Sequence, residues 1–262
     1  MKTTLKLSTL LVAIASAFTF SSCLNSSDNS TYPTYFSYVT ITGNTSSGYY
    51  TFHSDFGSIL RPTYASIQEV MPNLSNFPEI KRLYIAFDLA SETDNGKNLE
   101  SNKTYDIVLR QYYGANRDLP TSKTLKYTAA ADTLITKNKS IQNIDNNIWA
   151  INGYVNALIT INYQQGKKFK IETYYSEEDI DVTNNTLNLN LYFNNYTESP
   201  NNQGQDVFSF RLPEEVIYTH QFTADSINLV LNAITGFDNS QLSKVGECKV
   251  ALKDFSEPRP MY

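Results

Sequence analysis

The stretch that decides the fold reads NIWAINGYVNALITINYQQGKKFKIETYY, from Asn147 to Tyr175. Within it Val155, Ala157, Ile159, Ile161 and Tyr163 recur at every second position, with Asn156, Thr160 and Asn162 between them. A period of two places the apolar set on one face of a strand and the polar set on the other. The same alternation returns at Leu187, Leu189, Leu191 and Phe193, at Phe208, Phe210 and Leu212, and at Ile227, Leu229 and Leu231. One buried and one wet face is what an antiparallel sheet requires. Gln164-Gln165-Gly166-Lys167 and Thr183-Asn184-Asn185-Thr186 separate successive runs with residues that tolerate positive φ, and read as hairpin turns. Helix signals are confined to Tyr64–Met71, ended by Pro72, and to one turn over Glu214–Tyr218 after Pro213. The expected class is all-β.

Gly-Ala-Asn-Arg-Asp-Leu-Pro-Thr-Ser, from Gly114 to Ser122, interrupts the strands. Before it lie strand patterns at Phe36–Thr42, Tyr49–His53, Ile59–Arg61, Arg82–Asp88 and Thr104–Tyr112. After it about seven follow, from Leu125–Tyr127 to Cys248–Leu252, at the spacing of a sandwich. The expectation is a small OB-like barrel over residues 35–114, followed by an antiparallel β-sandwich over residues 123–255.

Further outward, the N-terminal residues have a different character. Lys2 and Lys6 precede an apolar run from Leu7 to Phe20, and Ser21-Ser22 lead into Cys23. The run is shorter than the roughly 20 apolar residues of a membrane-spanning helix and fits a lipoprotein signal peptide over residues 1–22. Cys23 would then carry lipid as the first mature residue, anchoring the protein to the outer membrane. Residues 23–34, rich in Ser, Asn and Asp, read as a flexible tether. Leu24-Asn25-Ser26-Ser27-Asp28-Asn29 holds a single acidic residue, which leaves the periplasmic and cell-surface faces both open.

Without residues 1–22 the chain has 19 basic and 26 acidic residues, a formal charge of −7. Phosphate contacts dominate nucleic-acid affinity, so a nucleic-acid partner is disfavoured. With Cys23 taken by lipid, Cys248 is the one remaining cysteine, and it sits in the alternating run Glu247–Leu252 as a buried, inert thiol. His53 and His220 are far apart and in no Cys/His pattern, so neither a zinc site nor a thiol protease is indicated. His53 reads as hydrogen-bonded within a strand, and His220 as a loop or rim residue. No cofactor pattern is present. Glu177-Glu178-Asp179-Ile180-Asp181 is the densest acidic segment. It is either a solvated approach to the Asn184-Asn185 turn or, with Glu172, a source of glycosidase or calcium-binding carboxylates. Aromatics are in surplus, with 19 tyrosines and 14 phenylalanines. In the doublets Tyr49-Tyr50, Tyr112-Tyr113 and Tyr174-Tyr175 one ring of each should face outward, where it could stack on a sugar or anchor a protein.

The segment Asn147–Tyr175, with NTLNLNLYFNN (Asn185–Asn195) and DVFSFRLPEEV (Asp206–Val216), resembles the NigD-like lipoproteins of Bacteroidetes. The resemblance runs from about Tyr35 to Leu252 and is carried by a strand pattern around Trp149 and Gly153 rather than by a catalytic motif. It implies an N-terminal OB-type domain and a C-terminal β-sandwich, and through the family name a link to bacteriocin operons. It also makes Thr133 and Ser226 candidate O-glycosylation sites, because Asp132-Thr133-Leu134 and Asp225-Ser226-Ile227 match the Asp-Ser/Thr-apolar tripeptide used in those bacteria. The function that fits is a non-catalytic, membrane-anchored binding or accessory lipoprotein with a glycan or envelope-protein partner. A carboxylate-dependent glycoside-active enzyme and an immunity-like lipoprotein are the alternatives.

Overall fold

The computed structural model describes residues 34–44, 49–72, 81–113, 121–126, 139–166, 169–196, 200–235 and 241–259. Cys23, Thr133 and residues 114–120 of the expected division lie outside them. Strands β1 (Tyr35–Asn44), β2 (Tyr49–Ser54), β3 (Ile59–Pro62), β4 (Arg82–Leu89) and β5 (Thr104–Tyr113) close into a barrel in the order β1-β2-β3-β5-β4. Every neighbour is antiparallel except the pair β3 and β5. Val39, Ile41, Phe52, Leu60, Leu83, Ile85, Phe87 and Leu109 fill the interior. Between β3 and β4 lies helix α1 (Tyr64–Val70). Thr63 caps it by accepting from the Ser66 amide, and Ile67 and Met71 pack onto the barrel core. The five expected strands match to within two residues at each end.

The second half contains β6 (Thr121–Lys126), β7 (Asn143–Ile144), β8 (Trp149–Ile151), β9 (Tyr154–Tyr163), β10 (Lys170–Tyr175), β11 (Ile180–Asp181), β12 (Thr186–Asn194), β13 (Asn202–Arg211), β14 (Ser226–Ala233) and β15 (Ser243–Ala251). Thr121 and Ser122 therefore belong to a strand. The six-residue helix α2 (Glu214–Thr219) follows β13. Strand β6 joins two sheets: residues 121–123 pair with β13, and residues 124–126 pair with β10. A strand that changes sheets in this way makes a corner between packed layers. Val155, Ile159, Leu187, Leu189, Leu191, Phe193, Phe208, Phe210, Ile227, Leu229 and Leu231 form the shared core. The alternating residues thus fall on the face the period assigns them.

The pairing direction differs from the sequence expectation of an antiparallel sandwich. Pairs β9–β13, β10–β12 and β14–β15 are antiparallel, but β6–β10, β6–β13 and β12–β14 run parallel. Period-two alternation reports which face is dry and carries no information on the neighbour's direction. Of the two expected hairpin turns, the one at Asn184-Asn185 joins the antiparallel pair β11 and β12, with Asn185 at φ 48°. Gly166, at φ 77°, instead turns the chain between strands that do not pair with each other, since β9 pairs with β13 and β10 with β12. A tolerated positive φ permits a turn without fixing the next strand's neighbour. Asn152-Gly153 makes a further hairpin turn between β8 and β9, with φ of 55° and 83°.

Barrel and sandwich belong to one compact unit, Pro33–Tyr262. Each keeps its own core. Asn156 and Ser209, on the polar face of β9 and β13, are completely buried. The barrel supplies part of their cover, as the contacts below show.

Candidate functional site

Two polar clusters stand out, one closed and one open. The closed cluster joins barrel to sandwich. Arg82, at the start of β4, is buried with its side chain fully inaccessible. Its Nη1 donates to Thr40 Oγ1 (3.0 Å) and Asp55 Oδ1 (2.7 Å), and its Nη2 to Asp55 Oδ2 (2.7 Å) and Asn156 Oδ1 (2.9 Å). The guanidinium carbon lies 5.6 Å from the centre of the Tyr154 ring. Trp149 Nε1 donates to Asp55 Oδ2 at 2.7 Å, and Ser209 Oγ to Asn156 Oδ1 at 2.6 Å. Asn152, in the hairpin turn, reaches the backbone oxygens of His53 and Ser54. Outside this cluster Phe36, Tyr84, Tyr38 and Trp149 pack ring to ring, and Tyr113 adds to Tyr84. Burial pushes the Tyr38 hydroxyl up to about 12, helped by the nearby Tyr84 phenol. A bidentate Arg–Asp pair with water excluded is geometry for holding two bodies in one orientation.

The open cluster is a depression of about 480 Å³ beside α2, lined by Thr124, Arg211, Leu212, Pro213, Glu214, Glu215 and Tyr218. Leu212 and Pro213 are buried and make an apolar floor. Glu214 Oε1 accepts from Ser256 Oγ (2.5 Å) and Tyr218 OH (3.0 Å), and Glu215 Oε1 accepts from Tyr175 OH (2.7 Å). The Ser256 hydroxyl holds the Glu214 carboxyl below its ordinary range, against the opposing effect of burial. Tyr175, desolvated and bonded to Glu215, is pushed well above the usual phenol range. Arg211 Nε sits 3.5 Å from Glu257, which also accepts from Tyr154 OH. Tyr218 is 73 % exposed. Glu214 and Glu215 are consecutive on a helix, so their side chains point in directions about 100° apart and do not oppose each other across a cleft.

The residues singled out in the sequence are dispersed. Glu172 Oε2 is 2.8 Å from Lys170 Nζ. Glu177 is exposed and pairs with Lys126 and with His220 Nε2. Asp179 accepts from the Ser176 amide and hydroxyl and from Asn190, closing a short helical turn. Glu178 is exposed beside them. His220 ends α2 at the rim, as read from its place in the chain. His53 Nε2 bonds Thr42 Oγ1 at 3.0 Å, and burial lowers its pKa. Cys248 is half-buried on β15, its thiol pushed up to about 11 by desolvation. Ser226 opens β14 half-buried, opposite Ala251. Among the described residues no group of three or more His, Cys, Asp or Glu could hold a metal ion.

The doublet tyrosines whose side chains are described, which leaves out Tyr49, are more buried than expected. Tyr175 is 1 % exposed, and Tyr50, Tyr112, Tyr113 and Tyr174 are half-buried. Among the described residues the freely exposed tyrosines are Tyr64, Tyr196 and Tyr218, none of them in a doublet. Sequence reading missed Arg82–Asp55 and the Arg211–Glu214–Glu215 grouping altogether. A charged residue opening an apolar strand was the one available hint for Arg82.

These features define a class: all-β proteins in which a five-stranded barrel is bolted to a mixed β-sandwich. No family model matches the chain, and no curated protein matches it in sequence. Solved structures do share the fold. A NigD-like immunity protein from Bacteroides caccae superposes with a TM-score of 0.52 at 15% identity, covering 86% of this chain and 99% of its own. A protein described as toxin-related, from Parabacteroides distasonis, gives 0.55 at 17% identity over 84% and 94%. The likeness read from the NigD-like strand pattern therefore holds at the level of the fold.

Proposed function

We propose that this protein is a non-catalytic lipoprotein of the bacterial envelope, held at the outer membrane by lipid on Cys23, which captures a partner at the depression beside α2. The observation that carries this reading is the state of the carboxylates. Those of Glu214 and Glu215 are anchored by hydroxyl donors and diverge, while Glu172, Glu177 and Asp179 are committed to Lys170, Lys126 and Ser176. A glycosidase needs two carboxyl groups facing each other about 5–9.5 Å apart. An exposed aromatic beside a few fixed polar groups suits binding instead. No helix among the described residues is long and apolar enough to cross a membrane. Thr133 and Ser226 remain proposed modification sites.

The full-length lipoprotein in detergent is expected to retain envelope components without turning them over. Polysaccharide hydrolysis abolished by Glu172→Gln, Glu177→Gln or Glu178→Gln would overturn the reading. Cys23→Ala should release the protein from membranes; retention after a high-salt wash would refute the anchor.

A further inference from the structure

We propose that the depression beside α2 is a carbohydrate site that takes one pyranose ring of a glycan. Tyr218 would stack on the ring, Arg211 would donate to its hydroxyls, and Glu214 and Glu215 would accept from them. The inference rests on the binding reading above and names the ligand for it.

Four observations select this chemistry. The volume, about 480 Å³, lies in the range of small-ligand sites. Its surfaces are of two kinds, an apolar floor of Leu212 and Pro213 beside the Tyr218 ring, and a polar wall of Arg211, Glu214 and Glu215. A pyranose has the same duality, with an apolar C–H face and a hydroxylated edge. The carboxylates are preset: one oxygen of each is pinned by Ser256, Tyr218 or Tyr175, and the second oxygen carries no bond among the described residues. Pinning removes rotamer entropy before the ligand arrives, which is the physical basis of preorganisation. The Tyr218 hydroxyl tethers its ring to Glu214 one helical turn back, so a stacking partner meets an ordered surface.

Charge decides against the rival ligands. A phosphate would face Glu214 and Glu215 with Arg211 alone among the lining residues to hold it, a cation already shared with Glu257. Arg259, the other cation felt by Glu214, is not in the lining. An ammonium group only donates, and would leave the Arg211 guanidinium opposing it. A hydroxyl both donates and accepts, so unlike a phosphate or an ammonium it satisfies the arginine and the carboxylates together.

The test uses the full-length lipoprotein in detergent micelles against an array of neutral, amino-bearing and acidic oligosaccharides, followed by calorimetry with the strongest free binder. A neutral sugar should bind. Tyr218→Ala and Arg211→Ala should each weaken it by about tenfold or more. Tyr218→Phe, which keeps the ring and loses the tether, should cost about threefold, and Tyr64→Ala, at an exposed ring elsewhere, should cost nothing. Emission from Trp149, the chain's one tryptophan, verifies that each variant keeps its barrel–sandwich junction. Saturable sugar binding indifferent to Tyr218→Ala and Arg211→Ala would overturn this site while leaving the binding reading intact. Binding of spermine that strengthens in Arg211→Ala would overturn the ligand class. No binding to any saccharide on the array would overturn the inference, and retention of an envelope protein in the same preparation would show that the broader reading survives it.

Discussion

The Arg82 junction and the α2 depression are built from the same residue types, an arginine, carboxylates and aromatic rings, yet they do opposite things. At the junction Arg82 has no exposed side-chain surface and Asp55 has 9 %, and both Asp55 oxygens are used by Arg82 and Trp149. In the depression Arg211 keeps 47 % of its side-chain surface and its Glu257 partner 25 %. What separates them is water. A charge pair removed from water is tolerated when the charges hold each other closely, as Arg82 does through both Nη atoms although its buried Nε has no partner. Breaking the pair leaves an uncompensated charge. A solvated pair exchanges one set of hydrogen bonds for another at little net cost. Closed clusters therefore hold structure together, and open ones remain free to take a ligand.

The comparison makes its largest claim about Arg82. Arg82→Met should destabilise the fold by about 3–5 kcal/mol in urea unfolding. Asp55 loses its opposite charge, keeping only the Trp149 indole, and Asn156 Oδ1 loses one of its two donors. The double variant Arg82→Met/Asp55→Leu should recover most of that loss. If the double variant is as unstable as the single, lost packing rather than a stranded charge is responsible. Arg211→Met should cost under about 1 kcal/mol, and equal costs at the two arginines would break the contrast.

Trp149→Phe comes next. It keeps an aromatic ring near Tyr38, 5.8 Å away, but removes the indole donor to Asp55, for an expected loss of about 1.5–3 kcal/mol. An unchanged thermal midpoint would mean that water replaces the indole, and that the junction is wetter than its burial indicates. Gly153→Ala should cost about 1–3 kcal/mol. The residue has φ of 83°, and an added Cβ would lie 2.7 Å from the Glu257 amide nitrogen and 2.9 Å from the Ser256 carbonyl carbon. The strain also displaces the segment that presents Ser256 to Glu214, so faster amide exchange at Ser256 and Glu257 should accompany it.

The smallest effect concerns pH. Glu214 titrates below its ordinary value of 4.5, chiefly because of the Ser256 hydroxyl. A depressed carboxylate contributes stability that is present above the unfolded value and lost as the pH falls through the lower folded one. Ser256→Ala should raise the Glu214 pKa toward 4.5, seen by carbon-13 NMR titration of the carboxyl, and soften the acid loss of stability below that pH. An unmoved titration would mean that Tyr218 and Arg211, rather than Ser256, set the carboxylate.

Much of the fold was legible because its causes are local. Leu187, Leu189, Leu191 and Phe193 face the core where their period puts them, and Gly166 and Asn185 turn the chain where positive φ is tolerated. The candidate site was legible only in fragments. Pro213 and the helical turn after it were visible in the sequence, but Arg211, Glu214, Glu215 and Tyr218 span two elements whose relation depends on β13 packing beside β6. The acidic segment from Glu177, conspicuous as a run, serves a short turn and two surface pairs.

Asn156 and Asn162 show where the division falls. Both lie on the polar face of β9, and by sequence alone they are equivalent. Asn156 is fully buried under Arg82, whereas Asn162 is half-buried and bonds Gln142. Alternation along one strand determines the face of each residue, since neighbouring side chains must point to opposite sides of a pleated backbone. Whether water or another layer lies over that face is decided by residues 74 positions away in the chain, through a contact that no local pattern encodes.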